Sequence, residues 1–183
     1  MAKEALYARD KRVRWRETFN SEQDVVGKNG VSVEVSFTNG TAVFTQIPSS
    51  YINYTNSFNL SKECTIRVKG ISNTSTPQNH EFFSFIAKNG IQYHFGVAGG
   101  VTTYLQLSAI GLYSVEINEN ILEKPFEAVV SWSKINNYIR LYLNGEQIYT
   151  TTYKSWFDTI YVDAYTVGSR YSSTNFSDKI LAC

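Results

Sequence analysis

Charge of one sign, long apolar runs and the residues of metal and redox chemistry are all scarce in this chain. Its 183 residues carry 17 Lys and Arg against 16 Asp and Glu, a net charge of +1, so the molecule has no long-range field to draw nucleic acid or an anionic membrane. The N-terminal stretch MAKEALYARDKRVRWRETF is broken by charges every few residues and has no apolar core. It is read as neither a signal peptide nor a membrane anchor, and the cellular location stays open. Three prolines and 11 glycines supply no linker that would divide the chain, and one continuous domain is expected. The two cysteines, Cys64 and Cys183, have no metal-ligand spacing and are expected as buried thiols. A bridge between them would require the last strand to lie beside the strand of Cys64.

Aromatic residues are what the chain has in abundance, with 13 Tyr, 11 Phe and 3 Trp among many Ser, Thr and Asn. That mixture suits pleated, half-buried strands and speaks against a helical bundle. The stretch FEAVVSWSKINNYIRLYLNGEQI, from Phe126 to Ile148, reads as three strands whose alternation and turn agree. Val130 and Trp132 share one face of the first strand, and Ile139, Leu141 and Leu143 alternate with Arg140 and Tyr142 along the second. Asn144-Gly145 then reverses the chain, because a two-residue type I′ turn needs positive φ at both positions. The same pair recurs at Asn29-Gly30, Asn39-Gly40 and Asn89-Gly90. In ECTIRVKG, Cys64, Ile66 and Val68 alternate with Thr65, Arg67 and Lys69, which places the thiol on the apolar face of a strand. Residues 1–20 are read as a charged arm or edge strand and 21–183 as the folded body. The arm holds six basic residues in its first sixteen, diluted by Glu4, Asp10 and Glu17.

The order of these features resembles the laminin G-like, concanavalin A-like jelly-roll family. The resemblance is carried by TNGTAVF, CTIRVKG, FFSFIAKNGIQYHFGV, the Arg140–Gly145 hairpin, Val167-Gly168 and Phe176 before a closing strand. It implies an all-β, two-sheet antiparallel β-sandwich with one curved sheet and binding loops along a rim. The closing ILAC is shorter than the family's usual last strand, which would leave a sheet edge open to another chain.

Function must then be argued from a site. Glycoside hydrolysis needs two carboxylates about 5 to 9 Å apart. Glu116 with Glu119, and Asp158 with Asp163, have odd spacings that send them to opposite faces of a strand. His94, in IQYHFGV, and His80, in a polar loop, have no nucleophile motif beside them. No catalytic residue and no cofactor is assigned, and the protein is expected not to be an enzyme. A structural calcium ion, which this fold holds with scattered loop oxygens, has no assignable ligands although Asp158, Asp163 and Asp178 could donate.

Recognition is the expectation that remains. Flat aromatic faces with amide and hydroxyl groups suit a sugar, by C–H to ring stacking and hydrogen bonds. The candidates fall in two loop-like stretches: Tyr51, Asn53 and Tyr54 in one, and Trp156, Tyr165, Arg170, Tyr171 and Asn175 in the other. Trp132, on a strand, is expected in the core. The expected partner is carbohydrate or a glycan-bearing surface. The alternative is an assembly protein, such as a virion or phage decoration or fibre subunit, that docks or oligomerises through the arm or the last strand.

Overall fold

Strand-forming composition is realised as strand almost throughout. The computed structural model describes residues 19, 21–27, 29–33, 35–44, 51–54, 58–60, 62–72, 80–87, 92–99, 103–109, 114–116, 124–155, 158, 160–167 and 178–182. Among them is one short helix, α1 (Glu22–Val26). The first strands are β1 (Gly30–Val33), β2 (Val35–Thr38), β3 (Thr41–Phe44), β4 (Tyr51–Tyr54) and β5 (Phe58–Leu60). The middle of the chain supplies β6 (Glu63–Ser72), β7 (His80–Ala87), β8 (Gln92–Gly99), β9 (Thr103–Ala109) and β10 (Ser114–Glu116). The rest are β11 (Pro125–Ser133), β12 (Tyr138–Leu143), β13 (Glu146–Thr151), β14 (Ile160–Val167) and β15 (Asp178–Ala182). His80, expected in a loop, opens β7.

Eight strands form one antiparallel sheet in the order β1-β4-β14-β7-β8-β9-β10, with β5 also paired to β14, and seven form the other in the order β13-β12-β11-β6-β15-β3-β2. The fold is an all-β, two-sheet antiparallel sandwich, as its sequence implied. The core follows from alternation. Val130 pairs with Leu141 and Trp132 with Ile139, and Ala128, Val130, Trp132, Ile139, Leu141 and Leu143 are all at most 4% exposed. Across the sandwich the eight-stranded sheet contributes Ile52, Tyr54, Tyr165 and Val167, each fully buried. Phe19, within the segment read as an arm, is fully buried as well.

Two of the Asn-Gly pairs form the expected turn. Asn39 and Gly40 have φ of 51° and 74°, and Asn144 and Gly145 have φ of 50° and 88°. Asn144 adds a second contribution, since its Oδ1 accepts from the Glu127 amide at 2.8 Å while its own amide donates to the Glu127 carbonyl at 2.8 Å. The turn of β12 and β13 is thereby fastened to β11. Asn29-Gly30 departs from the expectation: only Asn29 has positive φ, 58°, and the pair leads from α1 into β1 rather than closing a hairpin. Asn89-Gly90 lies outside the described residues, between β7 and β8, which do pair antiparallel.

The last strand, short as it is, is paired on both sides. β15 lies between β6 and β3, with Lys179 opposite Ile71 on one side and Val43 on the other. Its neighbour is indeed the strand of Cys64, but the register sets Ala182 opposite Lys69, five positions from Cys64. Cys64 is a free thiol, and burial pushes it up to about 12. Cys183 is outside the described residues.

Candidate functional site

Two of the residues expected at a binding rim lie in the core instead. Tyr51 to Tyr54 is not a loop but β4, hydrogen-bonded between β1 and β14. Its alternation buries Ile52 and Tyr54 and leaves Tyr51 and Asn53 half-buried on the other face. Tyr54 sits directly opposite Tyr165 on β14, and the two rings stack with centroids 4.7 Å apart and planes 15° from parallel. Both are fully buried, so neither ring has surface to present to a ligand. The chain then closes over Tyr54 through α1 and Gly30. A Cβ on Gly30 would lie 2.6 Å from both Cε1 of Tyr54 and Cγ1 of Val25. Trp156, Arg170, Tyr171 and Asn175 lie outside the described residues.

The solvent side of β4 leads to positions that alternation alone did not bring together. Residues directly opposed in antiparallel strands share a face. Asn53 is opposite Val31 on β1, which is 59% exposed, and opposite Thr166 on β14. Thr166 is in register with Ser84 on β7, Ser84 with His94 on β8, and His94 with Ser108 on β9. From Asn53 to Ser108 the row crosses four strand spacings, about 19 Å. In backbone register the row reads Asn, Thr, Ser, His and Ser, with Tyr51 two residues from Asn53 along β4. Sequence pattern placed Asn53 in a loop and His94 on a strand, and 41 residues of separation hid that the sheet aligns them.

At the end of the other sheet a set of charges fixes the hairpin between β11 and β12. Lys134 Nζ reaches both carboxylate oxygens of Asp158, at 2.8 and 2.7 Å. That contact, foremost, holds the Asp158 carboxyl below its usual range. Burial first, and then its hydrogen bond to Asp158, raise the Tyr153 hydroxyl. Glu63 accepts from the Ile135 amide at 3.0 Å, and this bond, with a second from Ser133, lowers its carboxyl. Asp158 is thus engaged in an ion pair, and Asp163 lies on β14. Among the described residues no group of three or more His, Cys, Asp or Glu gathers as a metal site would require.

The outer face of the seven-stranded sheet carries charge of its own. Glu127 binds Arg67 at 2.6 Å and Lys69 at 3.1 Å. Burial works to raise the Glu127 carboxyl, but the two cations outweigh it and the net shift is downward. Beside them Tyr138, Arg140 and Tyr142 share one face of β12, three residues that sequence reasoning used only to recognise the strand.

No family model matches the chain, and no curated protein matches it. Solved structures do. A prokaryotic β-1,3-1,4-glucanase (lichenase) derived from a mouse hindgut metagenome is 11% identical, with a TM-score of 0.63 over 92% of this chain and 96% of the other. The heptameric SAP-like pentraxin of Limulus polyphemus is 13% identical, with a TM-score of 0.58 over 76% and 72%. The metal-free carbohydrate recognition domain of Emp46p is 13% identical, with a TM-score of 0.55 over 84% and 86%. At such identities the likeness is one of fold alone, that of a two-sheet jelly-roll β-sandwich.

Proposed function

We propose that this protein is a non-catalytic recognition module that binds glycans on the outer face of its eight-stranded sheet. One observation carries the reading: the register aligns Asn53, Thr166, Ser84, His94 and Ser108 in a single row, anchored on the solvent side by Asn53 and by exposed Val31. Asn, Ser, Thr and His are residue types that carry both donors and acceptors, which is what vicinal sugar hydroxyls require. The row includes no carboxylate, and hydrolysis would need two at a controlled separation. One structural neighbour, the Emp46p domain, is a carbohydrate recognition domain, while the lichenase is a glucanase. A flat row buries little of a ligand, so affinity per site is expected between about millimolar and micromolar, and useful binding needs several copies.

The test is a glycan array probed with a multimerised form, followed by incubation of each bound glycan with the protein. Binding without release of reducing ends supports the reading. Cleavage of a bound glycan contradicts its non-catalytic half, and a blank array contradicts the whole of it.

A further inference from the structure

Strand β12 presents a second surface, on the opposite sheet. Tyr138, Arg140 and Tyr142 are half-buried and alternate with buried Ile139, Leu141 and Leu143, so the three stand in file on the face turned away from the core. The Arg140 guanidinium lies 4.0 Å from the centroid of the Tyr138 ring. Its Nε is enclosed without a hydrogen-bond partner. The ring therefore holds the guanidinium in place and removes part of its hydration without neutralising its charge. The neighbouring cations differ in this respect, because Arg67 and Lys69 share Glu127. Glu63 stands on the same face, two residues from Thr65 on β6, and accepts from the Ile135 amide. No carboxylate pairs with Arg140 among the described residues. Hydroxyls flank it. Ser131 is opposite on β11 and hydrogen-bonds Thr65 at 3.0 Å, and Thr150 is opposite on β13.

We propose that this face binds an acidic saccharide, with its carboxylate on Arg140 and its sugar ring against Tyr142. The carboxylate follows from the guanidinium: its outer N–H groups form a planar fork that matches two carboxylate oxygens. A partly desolvated cation gains more from such a partner than one fully in water. The saccharide follows from the shape of the surface. β12 is paired on both sides, by β11 and β13, so no free strand edge exists there for an extended peptide to join. What the face offers is a flat tyrosine and hydroxyls, which suit a ring with one apolar and one hydroxylated side. One unneutralised cation matches one carboxylate per sugar unit rather than the dense phosphates of a nucleic acid.

The site is distinct from the row through Asn53, and the experiment separates the two. The whole chain is titrated with tetragalacturonate and with sialyllactose, two sources of sugar carboxylate, and with neutral maltotetraose and tetraglutamate, followed by amide chemical shifts and calorimetry. At least one acidic saccharide should bind with shifts centred on residues 138–142 and Ser131, more weakly as salt rises. Arg140→Gln should lower that affinity by about tenfold or more, with Arg140→Lys recovering only part. Tyr142→Ala should also weaken it while melting temperature holds, and responses at Asn53 should be unchanged in each variant. The proposal is overturned if neither acidic saccharide binds, if maltotetraose or tetraglutamate gives the same shifts with equal affinity, or if Arg140→Gln in a folded protein leaves acidic binding intact. Shifts centred on Asn53 instead would overturn this site and support the row.

Discussion

Tyr54, in a polar stretch rich in Asn and Ser, is among the largest fully buried side chains, and Gly30 is part of the reason. The space beside its α-carbon is taken by the Tyr54 ring and by Val25. Gly30→Ala should force one of them aside and cost about 1–3 kcal/mol, measured as a lowered midpoint in urea. Gly145 is required for a different reason: its φ is 88° with nothing near its α-carbon, so Gly145→Asn should be mild and Gly145→Val should cost about 1–3 kcal/mol. If Gly30→Ala proves neutral, the close packing of α1 on Tyr54 is wrong. The distinction between the two glycines was half legible in the sequence. Asn144-Gly145 announces itself locally. The need at Gly30 arises from a ring 24 positions away, and no local pattern records it. Tyr54 and Tyr165 were misplaced on the same account, because burial of a tyrosine depends on which distant strand lies opposite it.

Elements joined by short turns were the readable ones. β11, β12 and β13 follow one another within 27 residues, and their apolar alternation, central tryptophan and Asn-Gly turn all agree with the register found. The hairpin between β11 and β12 was less apparent, since its hold comes from side chains. Buried Ser133 accepts from the Asn136 amide at 2.9 Å and from its Nδ2 at 3.0 Å. Ser133→Ala should cost about 1–3 kcal/mol and speed hydrogen exchange at Asn136. Unchanged exchange there would contradict this geometry. On the same sheet, Glu127 has a lowered folded pKa because of Arg67 and Lys69. Its contribution is present in full above the unfolded carboxylate value of about 4.3 and is lost as pH falls through the lower folded value. Stability of Glu127→Gln should therefore fall less steeply on acidification below about pH 5. An equal slope in denaturant titrations of both proteins would show that the ion pair adds nothing.

At the scale of the whole molecule, composition and turn spacing were enough for the sandwich but not for the order of its strands. β15 is interior, between β6 and β3, and β14 joins β4 to β7 across long stretches of chain. Strand order is set by pairings between segments far apart in sequence, which period-2 alternation cannot register. For the same reason the row from Asn53 to Ser108 becomes visible only once five strands stand side by side. The reading of the protein as a glycan-recognition module rests on that row, and amide shift mapping with the best array glycan tests it directly. The largest shifts should fall at residues 53, 166, 84, 94 and 108, and Asn53→Ala and His94→Ala should each weaken binding without altering the melting temperature. Binding whose shifts avoid all five positions, or which survives both substitutions, would contradict it.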